Sequence, residues 1–234
     1  VTIGGVSGDP AQRSSENSAE NLALYVEDNI QPWEGTHLIP ILRVDHHSQF
    51  GSNWTPGFNF AQDLGDNFKL KAGIARVFKA PNLYQSSEGY LLATRGNGCP
   101  VSITTGNCYL MGNGDLDAEV SVNKEVGLEF AAQGYAAGLT WFRNDYKNKI
   151  VSGTVLLGYA SDGGNILQWQ NGGKAVVEGL EASLTVPLIE DTLDWRTNAT
   201  YMIESKSKET GNPLSIIPKY TINTALDYQV TDKF

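Results

Sequence analysis

The sequence predicts an all-β fold, an antiparallel segment of a transmembrane β-barrel, on three observations. Apolar and polar residues alternate with period two in about nine stretches. Short and long connections alternate between those stretches, so one rim carries the elaborate loops and the other does not. Aromatic residues gather near the strand ends at the short-turn rim, where an interfacial girdle would sit.

The elements follow in order. The first strand covers residues 18–31 and ends in the turn Pro32-Trp33-Glu34-Gly35-Thr36. The second covers 37–47 and the third 55–63, with an intermediate connection at 48–54 that fits the long–short rule less well. Leu64-Gly65-Asp66 turns the chain into the fourth, 67–79. A long connection, 80–120, leads to the fifth strand, 121–132, and the short turn Gln133-Gly134 to the sixth, 135–150. Residues 151–173 form a second long loop before the seventh strand, 174–187. A modest turn, 188–194, precedes the eighth, 195–204. A third long connection, 205–217, precedes the ninth, 218–230. Long loops of this kind are usually functional.

Alternation assigns the faces. Phe68, Leu70, Ala72 and Ile74 oppose Lys69, Lys71 and Gly73. Val122, Val126, Leu128 and Phe130 oppose Asn123, Glu125, Gly127 and Glu129. Trp195, Thr197, Ala199 and Tyr201 oppose Arg196, Asn198 and Thr200, and Tyr220, Ile222, Leu226 and Tyr228 oppose Thr221, Asn223 and Asp227. A lipid-facing outside and a wet lumen require this pattern. A soluble antiparallel sheet with one wet face shows the same alternation. The aromatics Trp33, Phe68, Tyr135, Trp195 and Tyr228 at one rim favour the barrel. Asp28 and Glu178 fall on the apolar face and count against this register; near strand ends a lipid-side charge costs about 0–1 kcal/mol.

Composition excludes other classes. Of 234 residues, 18% are charged and 10% aromatic, which argues against disorder. The longest apolar runs, such as 38–42, fall far short of the ~20 residues of a membrane helix. A mean hydropathy of −0.27 is that of a soluble protein and equally of a barrel whose strands average out. A net charge of −9 disfavours nucleic acid as a partner. Cys99 and Cys108 are either two free thiols or, the better reading, a disulfide pinching a loop in an oxidising compartment. Val1 begins in a loop-like stretch without a starting methionine or signal peptide, so the chain is expected to be a piece of something larger. Asp232 and Lys233 read as a turn, so Phe234 is expected to open a further strand.

Catalytic constellations are missing from the sequence. The histidines are His37, His46 and His47, and neighbours on a strand point to opposite faces, so His46 and His47 are poorly placed to share a metal. No G-x-S-x-G turn, Walker loop or Rossmann glycine pattern occurs. Asp115, Asp117 and Glu119 hint at calcium without EF-hand spacing. An enzyme is not expected, and neither a cofactor nor a protein-bound metal.

Three segments resemble a known family. Residues 76–83, Arg-Val-Phe-Lys-Ala-Pro-Asn-Leu, resemble the strand-to-loop junction of TonB-dependent outer-membrane receptors. Residues 113–119 leading into 123–129, and Val177-Glu178-Gly179-Leu180-Glu181, are similar to the same family's later strands, in the right order. Residues 43–47, the cysteine pair, residues 141–150 and residues 214–218 resemble in particular the FepA-type ferric-enterobactin and related ferric-catecholate receptors. The resemblance runs across nearly the whole of 1–234. It implies a plugged barrel of about 22 strands, of which this chain would be the central portion, with plug and TonB box outside it. It further implies the Gram-negative outer membrane and gated uptake of ferric-catecholate siderophores such as ferric enterobactin. The partners implied are the TonB–ExbB–ExbD complex acting through the plug, outer-membrane lipid and lipopolysaccharide, and phages or bacteriocins that exploit such loops. Iron is cargo within the siderophore, not a cofactor.

A ferric tris-catecholate is an aromatic trianion, so its receptor needs cationic donors and flat faces. Loop 80–120 has one cation, Arg95, four residues before Cys99. The expected contacts are Arg95, Asn97 and Tyr90, with Gln85, Tyr84 and Tyr109 as further candidates. Trp169 and Tyr159 are weaker ones, and Arg95 as an ordinary solvated charge is the plain alternative. Lumen-side Arg196 is expected to bond barrel or plug groups. Two other classes compete with a receptor: a soluble extracellular β-rich binding or adhesin module, and an outer-membrane barrel enzyme.

Overall fold

The computed structural model describes residues 18–94, 99–100, 103, 106–160, 162–214 and 217–230, together with the backbone of 2–3 and 6–7. β1 (Thr2–Ile3) and β2 (Val6–Ser7) form a short antiparallel pair. The main body is a nine-stranded sheet. In chain order its strands are β3 (Asn21–Glu27), β4 (Thr36–His47), β5 (Gly51–Leu64) and β6 (Phe68–Lys79). The first long connection then carries α1 (Leu83–Ser86), β7 (Leu91–Ala93) and β8 (Cys108–Met111). The sheet resumes with β9 (Glu119–Ala132) and β10 (Tyr135–Lys147). The second long connection carries β11 (Ile150–Ser152), β12 (Gly158–Tyr159) and β13 (Asn165–Asn171). β14 (Ala175–Ile189), β15 (Leu193–Ser207) and β16 (Tyr220–Tyr228) complete the sheet.

All nine expected strands are present, and each pairs antiparallel with its neighbour in the chain-ordered meander, from β3 at one edge to β16 at the other. Turn chemistry sets this topology. Gly35, Gly65 and Gly134 take positive φ at the short rim, as do Gln133 and Asp191. Strand ends shift by up to four residues from expectation, and the first strand is confined to Asn21–Glu27 rather than 18–31. The third strand begins at Gly51, not residue 55, because Gly51 adopts a φ of 67° and closes a tight turn after His47. Pairing then continues through Asn53 with Asp45 and Trp54 with Val44, and Pro56 sits opposite Leu42. The long loops are also not structureless, since five short strands and one helical turn lie within them.

The register brings the alternating faces into common rows. Leu70, Leu128, Leu139, Ala182, Ala199 and Ile222 lie in one line across six strands. This face is covered by no second layer among the described residues: Leu139 is 54% exposed, Ile222 64%, and Phe68, Val126 and Leu128 are also exposed. A soluble sandwich would bury that row at about 25 cal/mol per Å². Open exposure of a continuous apolar face is what hydrocarbon contact requires. Trp33, Tyr135, Trp195 and Tyr228 lie exposed toward the short-turn rim, and Phe68 there packs on Phe130 with ring centroids 5.0 Å apart. The two misplaced acids resolve differently. Asp28 lies exposed beyond the end of β3. Glu178 accepts from Arg143 Nη1 at 2.8 Å and from Trp141 Nε1 at 3.0 Å, so its charge is paired on the outward face.

Candidate functional site

The two longest connections fold together. β8 and β13, more than fifty residues apart in sequence, pair in parallel, with Cys108 opposite Asn165 and Met111 opposite Gln168. β7 pairs with β8, and β11 and β12 with β13. The resulting small sheet is packed as a water-soluble domain is. Cys108, Leu110 and Leu167 are buried on one face with Leu92 and Trp169 against them, and Met111 and Ile166 on the other with Leu91, Tyr109 and Ala160.

Polar clasps join this module to the barrel. Asn171 Nδ2 donates to the carbonyls of Asn148 at 2.8 Å and Asp117 at 3.0 Å, and its Oδ1 accepts from Asp117 N–H at 2.9 Å. The Glu119 carboxylate accepts the buried Ile150 N–H at 3.1 Å. Asn113 Nδ2 donates to the Trp169 carbonyl at 2.9 Å. The sequence offered Glu119 only as part of an acidic cluster and Asn113 only within a family-like segment, and gave neither them nor Asn171 this clasping role. A single Asn or Glu carries no local periodicity, and each partner here is remote in the chain.

Tyr84, Tyr90 and Trp169 meet. Tyr84 lies edge-on to Trp169 with centroids 6.0 Å apart and 6.3 Å from Tyr90. One long loop therefore supplies two rings and the other supplies the third. The Trp169 Nε1 is buried and finds no hydrogen-bond partner among the described residues. Gln85 is only 5% exposed; its Oε1 accepts the Asn82 N–H at 2.9 Å and its carbonyl accepts the Asn113 N–H at 2.7 Å. It thus organises the helical turn that presents Tyr84. Tyr109 packs against the opposite face of the small sheet from Trp169 and donates its hydroxyl to Asp162. That bond, followed by one from Gly164 N–H, holds the Asp162 carboxyl below the usual carboxylate range, and the Tyr109 phenol is held above its own. Tyr159 is exposed in β12.

Arg95 and Asn97 lie outside the described residues. The positions flanking them do not. Thr94 bonds the Cys108 carbonyl through both N–H and Oγ1, each at 2.9 Å, and Cys99 forms a disulfide with Cys108. Arg196 pairs with Asp194 and Asp227 on its own wall of the barrel, as expected of a lumen-side cation. His46 bonds Ser52, while His47 accepts from Gln49 N–H and stacks beside Phe50.

The sheet, its bare apolar face and the elaborated rim define an outer-membrane barrel of the receptor class. Residues 2–234 match the family "TonB dependent receptor-like, beta-barrel", and the chain belongs to that family. It is 60% identical over 228 residues to the ferric enterobactin receptor PirA of Pseudomonas aeruginosa, covering 97% of this chain and 31% of that protein. It is 51% identical over 230 residues to the ferrienterobactin receptor of Escherichia coli, covering 98% and 30%. Among solved structures, an arginine-to-alanine variant of a Pseudomonas aeruginosa ferric enterobactin receptor, in complex with enterobactin, superposes with a TM-score of 0.82 at 51% identity. That match covers 99% of this chain and 33% of the other. The chain therefore spans about a third of the length of these relatives.

Proposed function

We propose that the protein containing this chain is an outer-membrane receptor and TonB-dependent transporter for ferric-catecholate siderophores, ferric enterobactin in particular. One observation carries the reading: identity to a ferric enterobactin receptor runs at 60% across 97% of the chain, barrel strands and loop module alike. The geometry supports it. The ring cluster of Tyr84, Tyr90 and Trp169 offers faces for catechol rings. Thr94 and Cys99, on either side of the segment that holds Arg95 and Asn97, are both tied to Cys108. Arg95 supplies the positive charge for a trianion, and Asn97 a neutral donor. The energy for uptake comes from TonB–ExbB–ExbD acting on a plug domain of the parent protein, and lipid and lipopolysaccharide surround the barrel wall.

The test is a titration of full-length receptor with ferric enterobactin. Arg95→Ala weakens binding by about 1.5–3 kcal/mol, the worth of a charge-assisted hydrogen bond. Unchanged affinity would remove Arg95 from the site. Absence of any ferric-catecholate binding by the wild-type receptor would overturn the function itself.

A further inference from the structure

The second long loop continues a barrel hairpin. β10 and β14 pair as far as Tyr146 opposite Ala175, and the same two passages pair again as β11 and β13, from Ile150 opposite Asn171. Residues 147–149 and 172–174 lie between the two ladders. Asn148 there takes a φ of 54° and Gly173 one of 78°. Left-handed backbone in both passages interrupts the regular twist of the ribbon, and the adjacent glycines 172 and 173 leave its torsions free. Two backbone bonds cross this joint, from Lys149 N–H to the Gly173 carbonyl at 3.2 Å and from Gly172 N–H to the Lys149 carbonyl at 2.6 Å.

The first loop returns to the barrel beside the same joint. Its return segment, residues 112–118, is laced to β13. Gln168 Nε2 donates to the Gly112 carbonyl at 3.2 Å, and Asn113 Nδ2 to the Trp169 carbonyl. The Asn113 N–H also donates to the Gln85 carbonyl in the helical turn that presents Tyr84. Whatever sets the angle of the ribbon thus sets the place of all three rings, Trp169 directly and the two tyrosines through the return segment.

One side chain spans the joint. Asn171 is the first residue of β13 beyond the bend when the chain is followed up from β14, and it shares a face with Trp169 two positions away. Its Nδ2 reaches the Asn148 carbonyl on one neighbouring passage and the Asp117 carbonyl on the other, and its Oδ1 takes the Asp117 N–H. Three passages are tied through a single amide, which uses both of its donors and one of its acceptor sites to do so. The Glu119 carboxylate, by contrast, holds only the Ile150 passage through its N–H.

We propose that Asn171 is a positioning residue for ferric-catecholate binding: it latches the loop module at one angle to the barrel, and without it the module pivots as a unit on residues 147–149 and 172–174. The module's own core, with Cys108 and Leu167 fully buried, does not depend on the latch. The affinity part of this inference rests on the receptor reading above; the pivot does not.

The test uses full-length receptor with spin labels on Gln49→Cys at the barrel rim and Thr154→Cys in the module, both exposed positions. The native cysteines stay bridged and take no label. Pulsed dipolar spectroscopy on the otherwise wild-type protein gives one narrow distance distribution. Asn171→Ala broadens it about twofold and weakens ferric enterobactin binding about tenfold, as a competent angle occupied about a tenth of the time requires. Saturating ferric enterobactin narrows the distribution again, because ligand selects that angle. Hydrogen exchange at Cys108 and Leu167 stays as slow as in the wild type. Asn171→Ser, with one donor in place of two, is read in the same way should the alanine variant not assemble.

An unchanged distribution in both variants overturns the proposal. Loss of protection at Leu167 overturns it too, since Asn171 would then hold the module's fold and not its angle. Wild-type affinity alongside a broadened distribution overturns the positioning role. Distances are read first without siderophore, so a receptor that bound no ferric catecholate would sink the receptor reading while the pivot was decided separately.

Discussion

The nine-stranded sheet and the two-loop module follow opposite rules within one chain. In the sheet the largest apolar side chains stand exposed in rows, and polar residues line the other face. In the module Cys108 and Leu167 are fully buried, each at 0% exposure. The residue types overlap, since both regions use leucine and aromatics, but the module's strands place apolar residues on both faces, as in Leu110 with Met111 and Ile166 with Leu167. What differs is the solvent: hydrocarbon rewards an apolar exterior, and water rewards an apolar interior. One polypeptide folds across that boundary, and the row of Lys124, Arg143 and Glu178 lies near it.

The comparison breaks most sharply at Leu167. Leu167→Ala destabilises the module by about 2–5 kcal/mol, because it opens a cavity in a fully buried site. Protease cleavage within residues 91–111 rises, while heat-shifted gel migration of the barrel stays that of the wild type. The reverse experiment is Leu139→Arg, at the middle of the apolar band. It costs about 2–4 kcal/mol in membrane-folded protein, whereas an exposed leucine in water would tolerate the change within about 0.5 kcal/mol. Urea-dependent folding into bilayers distinguishes these, and a neutral result would put water, not lipid, against that face.

Replacing Cys99 and Cys108 by serine sharpens the comparison further. The bridge closes a nine-residue separation, so its loss destabilises the module by about 2–3 kcal/mol and leaves barrel assembly unaffected. The smallest effect is that of pH on the Tyr109–Asp162 bond. The Asp162 carboxyl is held low, so its contribution is present above the ordinary carboxylate range and fades as pH falls through the lowered value. The Tyr109 phenol is held high, so its contribution is present below the ordinary phenol range and fades as pH rises through the raised value. Hydrogen exchange at residues 162–166, compared with Tyr109→Phe at each pH, shows protection across the interval between and convergence outside it.

The barrel strands were legible because period two and turn glycines are local signals. Residues 48–54 misled because Trp54 and Pro56 hide a tight turn that Gly51 alone closes. The paired charges of Glu178 and Arg143 looked like a register error, since the salt bridge spans thirty-five residues. Within the loops, the aromatic candidates were legible as residue types but not as a constellation. Tyr84 and Tyr90 come together with Trp169 from the other loop, while Tyr109 goes to the opposite face. The parallel pairing of β8 with β13 left no trace in either segment, because each supplies only half of the ladder.

That ladder makes the two excursions a single inherited part. Grafting either one alone onto a different scaffold would leave a greasy ribbon with half its amides unclaimed, and an antiserum raised against either isolated peptide would miss the surface they build jointly. Changes of specificity during evolution must then travel through both excursions at once, or be confined to the tips beyond their shared hydrogen bonds.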